Sequence, residues 1–160
     1  MDTLVSDNSG AVLTRLQELD KELSTEISDL LEEEANFRPS ETEQSIKETI
    51  CQLRDAEQIL TYRVQHIMQE DEPFFKSFNT EEMTADRNYR DEVWDTVRTA
   101  YTQARITNLD LLTGLQPIQW LKGAIHQDRG HVTLYDLADA HRAFDESNLE
   151  RIRHLRWLAK

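Results

Sequence analysis

The sequence predicts an all-α protein, a four-helix bundle with two longer connections between helices. Three observations predict it. The 160 residues include only four glycines and three prolines, so few positions interrupt a helix. Leu, Glu, Ala, Gln and Arg, all good helix formers, are plentiful. Apolar residues recur at steps of three and four along four long stretches, the spacing of one helix face. A chain of this length buries about two-thirds of its unfolded surface as one domain and needs no covalent staple. Residues 1–9 are expected as a flexible N-terminus and residues 10–160 as the bundle domain.

The first helix is predicted from about Gly10 to Ala35, with Leu13, Leu16, Leu19, Leu23, Ile27, Leu30 and Leu31 as its apolar residues. The acidic run Glu32-Glu33-Glu34 sits poorly at the negative end of such a helix, and Pro39 marks the break. Ser40 and Ser45 each precede a glutamate by three residues, so either can open a capping box for the second helix. That helix carries Ile46, Ile50, Leu53, Leu60, Val64 and Ile67 along one stripe and ends before Pro73. Residues 71–90 read as a loop laid over the bundle by Phe74, Phe75 and Phe78.

A third helix is expected from about Asp91 to Thr113, with Val93, Val97, Tyr101, Ile106 and Leu109 or Leu112 inward and Gly114 at C′. After Pro117 comes a short amphipathic piece, Ile118 to Ile125, closed by a turn around Gly130. Thr133 can cap the last helix, which reaches Leu158. Trp94, Trp120 and Trp157 read as packing anchors.

A net charge of −13 argues against nucleic acid and anionic membrane surfaces as partners, because both are bound by neutralising phosphates with Lys and Arg. No apolar run approaches the ~20 residues that span a bilayer. The N-terminus lacks the basic region and apolar core of a signal peptide, and Cys51 stands alone, so a cytoplasmic location is expected. The cluster Arg151, Arg153, His154, Arg156 and Lys160 reads as the basic end of a helix rather than a binding patch.

The informative break lies in helix four. Its stripe runs Leu134, Ala138, His141, Asp145, Asn148, Ile152, Leu155, apolar at both ends and polar in the middle. Bundles place sites between facing helices at mid-height, so a cavity or polar network is expected there. A buried carboxylate without partners is costly, so Asp145 needs water, a cation or hydrogen-bond donors. A stripe drawn one position over, through Leu137, Phe144 and Leu149, would instead leave His141 and Asp145 at the rim. His126 and His131, flanking Gly130, are either solvated loop histidines or a pair at a pocket mouth. Cys51, with no cation or helix N-terminus to lower its pKa, reads as packing.

These segments resemble a known family. Arg38-Pro39-Ser40, followed by Gln44-Ser45-Ile46 and the run to Gln52-Leu53 and Glu57, is similar to the second-helix start of the DinB/YfiT-like superfamily, with its Pro-Ser, Trp-Ser-Ile and His-Leu-x-x-x-Glu segments. Trp120, then His126 through Gly130-His131-Val132-Thr133-Leu134, resembles its His-Pro-x-x-Gly-x-Val-Thr-Leu stretch. Phe144-Asp145-Glu146-Ser147-Asn148-Leu149-Glu150-Arg151-Ile152 stands where the family carries His-Asp-x-x-His-Leu-x-x-Ile. The resemblance implies a four-helix bundle with a metal pocket, often a homodimer, whose active members are metal-dependent thiol transferases and thiol-dependent isomerases.

The family's three metal-binding histidines correspond to Gln52, Phe144 and Asn148. Gln and Asn offer weak carbonyl ligands and Phe none, so no cofactor is expected. The reading that follows is a non-metal-binding, non-catalytic pocket or interaction protein, homodimeric and able to take a small-molecule ligand. Its pocket would lie at Gln52, Phe144 and Asn148, lined by His141, Asp145, Glu57 and His126. The alternative is a metal-dependent transferase of this family, with Ni or Zn held by an altered ligand set around His141 and Asp145. An acid–base enzyme built on that pair without metal is a third, weaker reading, because no nucleophile or oxyanion donor accompanies it.

Overall fold

The computed structural model describes residues 2–79 and 87–160, with side chains from Asn8 onward. Four long helices form the bundle: α1 (Asp2–Ile27), α3 (Ile46–Gln69), α4 (Trp94–Thr113) and α5 (Leu134–Leu158). A short α2 (Glu32–Asn36) follows α1. By extent of packing, α3 lies against α4 and α5, and α1 lies against the same two. The ring therefore runs α1–α4–α3–α5, with the first two long helices facing across a diagonal. Among the described residues no helix is long and apolar enough to cross a membrane.

The capping expectations resolve at single residues. Ser45 opens α3: its hydroxyl accepts from the Glu48 amide while Glu48 accepts from the Ser45 amide. Thr133 and Asp136 do the same for α5. The first helix ends at Ile27, earlier than its apolar steps suggest. The Glu32-Glu33-Glu34 run becomes the first turn of α2, where the positive end of the macrodipole favours acids. At its other end α1 begins at Asp2, inside the expected lead-in.

Helix α4 differs more. Val93 and Ile106 are 60% and 45% exposed; the buried face is Trp94, Val97, Tyr101, Arg105, Asn108 and Leu112. Gly114 caps α4 in ordinary right-handed conformation, φ −78°, so it is the C-cap and not a left-handed C′ residue. Trp94 and Trp120 are buried, but Trp157 is 69% exposed, stacked on His154, and is not a core anchor.

The piece after Pro117 is a 3₁₀ turn (Pro117–Leu121) and a β-hairpin of β2 (Gly123–His126) and β3 (Gly130–Thr133), where an amphipathic segment is predicted. Gly130, at φ +72°, closes the three-residue loop in the left-handed region that such hairpins require. At Gly123 a Cβ would meet the Val132 carbonyl oxygen at 2.5 Å, so only glycine fits there. The connection after α3 adds β1 (Phe74–Phe75) parallel to β2. Phe75 is buried, Phe74 is 61% exposed and Phe78 37%, so Phe75 is the aromatic that pins this segment most firmly. The sheet is minor beside the helices, but it holds His126 and Arg129 at one side of the bundle.

Candidate functional site

The apolar core is split in two. One half gathers Leu19, Leu23, Ile50, Leu53, Val97, Tyr101, Leu149 and Ile152; the other gathers Leu16, Leu60, Val64, Leu112, Leu134 and Ala138. On three of the four long helices the residues between these halves are polar: Glu57 on α3, Arg105 and Asn108 on α4, His141 and Asp145 on α5. All five are buried, and Arg105 is only 1% exposed.

Arg105 organises this layer. Its Nη1 donates to Glu57 Oε1 at 2.7 Å and to Asp145 Oδ2, and its Nη2 donates to the Leu16 carbonyl at 2.7 Å. One guanidinium on α4 therefore bonds to α1, α3 and α5. Glu57 also accepts from His141 Nε2 at 2.7 Å and from Asn108 Nδ2 at 2.5 Å. Asp145 is less satisfied: its Oδ1 lacks a hydrogen bond among the described residues and lies 3.8 Å from His141 Nε2. Tyr101 Oη and Arg105 Nε likewise lack hydrogen bonds among them, although Arg105 Nε lies 4.0 Å from Asp20 Oδ1 on α1.

The charges follow from this geometry. Burial alone would raise the Glu57 carboxyl pKa, but His141, Arg105 and the Asn108 amide outweigh it and hold the pKa well below the usual carboxylate range. Asp145, with fewer donors, is pushed up by burial. Burial opposes protonation of His141, yet Glu57 and Asp145 raise its pKa above 6.5. The cluster thus holds its negative charge first on Glu57, against Arg105 and a protonated His141.

A raised histidine pKa stabilises the fold below the unfolded value of 6.5, and that contribution is lost as pH rises through the folded value. His141→Gln is therefore expected to cost about 2 kcal/mol under mildly acidic conditions, the worth of a charged buried hydrogen bond. The cost should shrink in alkaline buffer, and urea unfolding of both proteins across pH measures it. His126 has a lowered pKa and pulls the opposite way, but it is present in both proteins and cancels in the difference.

Beside the layer lies a cavity of about 230 Å³. His141 and Phe144 reach it from α5 and Arg63 from α3, while His126 and Arg129 reach it from the hairpin. His126 Nδ1 accepts from the Asp128 and Arg129 amides, so the neutral ring carries its proton on Nε2.

The predicted site residues separate into two groups. Glu57, His141 and Asp145 come together in the layer, and His126, Phe144 and one side of His141 line the cavity. Gln52 is half-buried five residues before Glu57, and Asn148 Nδ2 donates back to the Phe144 carbonyl at 2.8 Å; neither lines the cavity. Phe144 packs its ring against the first core half. His131 is exposed, 3.6 Å from Glu72. The Cys51 thiol is buried against Glu92, and burial pushes its pKa up, away from thiolate chemistry. Arg153 and Arg156 of the C-terminal cluster pair with Glu22, Glu26 and Asp29 around the end of α1. Arg105, Asn108, Arg63 and Arg129 were not singled out by the sequence reading.

No protein-family model matches the chain, and no curated protein does. Among solved structures it is similar to YfiT from Bacillus subtilis, described as a probable metal-dependent hydrolase with an unusual four-helix bundle topology. The match has a TM-score of 0.78 at 13% identity and covers 92% of this chain and 85% of that one. The chain therefore has the YfiT fold.

Proposed function

We propose that this chain, built on the YfiT fold, is a metal-free pocket protein that binds a small molecule without catalysing its conversion. One observation carries the reading: Arg105 sits at both carboxylates where an ion would have to sit. Its guanidinium supplies the positive charge that a divalent cation would otherwise bring to Glu57 and Asp145. His141 Nε2 lies 2.7 Å from Glu57 Oε1, and a ring protonated there to donate to this carboxylate offers no Nε2 lone pair to a metal. At the positions matching the family's histidines, Phe144 offers no donor atom, and Asn148 turns its amide to its own helix. The residues present do not fit the family's metal.

The second reading is a transferase with an altered ligand set. What favours it is that Glu57, His141 and Asp145 bring candidate ligand atoms within 4.8 Å of one another, with Asp145 Oδ1 unused. Elemental analysis of untagged protein, purified without chelator, separates the two. Substoichiometric transition metal is expected. Close to one equivalent of Ni or Zn per chain would overturn the metal-free reading.

A further inference from the structure

Arg63 is a buried cation, 8% exposed, on a helix of an acidic protein. Burying such a charge without an anion is costly, and arginines in interiors are ordinarily paired. Its Nη2 donates to the Lys76 carbonyl at 2.8 Å, and its guanidinium lies 5.5 Å and 5.4 Å from the Phe75 and Phe78 ring centres. Among the described residues no carboxylate pairs with it. Burial and a second cation, Arg129, both lower its affinity for its own proton.

Both arginines border the 230 Å³ cavity, and His126 adds an Nε2–H donor held by the two amides behind its ring. Among the described residues no carboxylate lines this cavity. Away from the cations its wall is apolar, formed by Leu60, Leu137 and Phe144. A rim of donors, Arg63 and His126 buried and Arg129 exposed, over an apolar floor complements a molecule with a planar anionic head and a compact hydrophobic body. A cavity of this volume is below the range typical of drug-sized ligands, so the body is small.

We propose that this cavity binds a small carboxylate with an apolar body, the carboxylate lying between Arg63, Arg129 and His126 and the body packing on Leu60, Leu137 and Phe144. The assignment rests on the reading of the chain as a binding protein and gives that reading a ligand class. Arginine suits a carboxylate because its fork matches two oxygens at once. Because Nη2 already donates to the Lys76 carbonyl, such pairing would use Nη1 and Nε.

Calorimetric titration of the EDTA-treated protein with phenylacetate, phenylacetamide and inorganic phosphate tests it. Phenylacetate is expected to bind at one site, and the amide at least about tenfold more weakly, the value of one charge-assisted contact. Phosphate, which lacks the body, is expected to bind more weakly than phenylacetate. Arg63→Gln should weaken phenylacetate by at least about tenfold, and the exposed Arg129→Gln by a smaller factor with the fold intact. Equal binding of acid and amide would overturn the proposal, as would phosphate matching phenylacetate or an absence of phenylacetate binding with and without added nickel. Phenylacetate binding that appears only after nickel is added would instead overturn the metal-free reading while leaving the ligand class standing.

Discussion

Arg105→Met is expected to destabilise the protein by about 4 kcal/mol, the cost of stripping one partner from a buried ionic cluster. The loss should exceed that of any conservative apolar substitution on α4, such as a shortened Val97, which leaves only a small cavity. The mechanism is electrostatic. Without the guanidinium, Glu57 and Asp145 face each other in a buried layer with His141 and Asn108 to offset them. Asp145, whose pKa already lies above the ordinary value, would then take a proton and soften the blow. The deficit should therefore grow with pH above the carboxylate range. Replacing the whole set, Arg105→Met with Glu57→Leu and Asp145→Leu, should recover most of the loss, because apolar packing can substitute for an ionic cluster. Equilibrium urea unfolding of the three proteins reads both numbers. A loss under about 1 kcal/mol for Arg105→Met would show that the cluster does not depend on its cation.

The second large effect separates the two carboxylates. Glu57→Gln is expected to cost about 3 kcal/mol and Asp145→Asn about 1 kcal/mol or less, since charged hydrogen bonds are worth more than neutral ones. Glu57 accepts from Arg105, His141 and Asn108, whereas Asp145 accepts from Arg105 alone and leaves Oδ1 unused. The same contrast fixes the sign with pH. Glu57, with a lowered pKa, adds stability above the unfolded value of 4.5 that is lost as pH falls toward its folded value. Asp145, with a raised pKa, withdraws stability as pH rises past 3.8, so its amide variant should be relatively better at neutral pH than in acid. Equal costs, or a larger cost for Asp145→Asn, would contradict this division of charge.

Much of this was legible in the residues. The helix-four stripe from Leu134 to Leu155 is buried along its length, polar middle included, because its steps of three and four follow the helix period. Of Ser40 and Ser45, each three residues before a glutamate, Ser45 opens α3, and Thr133 caps α5 as expected. Arg105 and Asn108 were missed for a physical reason. The α4 face was traced through apolar residues alone, which drew in Val93 and Ile106. The true face, Trp94, Val97, Tyr101, Arg105, Asn108 and Leu112, keeps perfect helical steps once polar residues are admitted. The partner that Asp145 required was therefore present in the sequence but on another helix, and pairing between helices carries no local signal.

The hairpin was hidden differently. Gly123 to Thr133 is too short and too polar for periodicity to distinguish strand from helix, although Gly130 marked its turn. The cavity inherits that blind spot, since His126 and Arg129 reach it only because β2 and β3 fold back beside α5.

The central claim is that a guanidinium, rather than a metal ion, holds the middle of this bundle together. Its most direct test is thermal unfolding of EDTA-treated wild-type protein titrated with Ni²⁺ or Zn²⁺, because a ligand bound to the native state alone raises the melting temperature. No saturable rise is expected. A saturable rise at one equivalent, abolished by His141→Gln or Glu57→Gln, would contradict it.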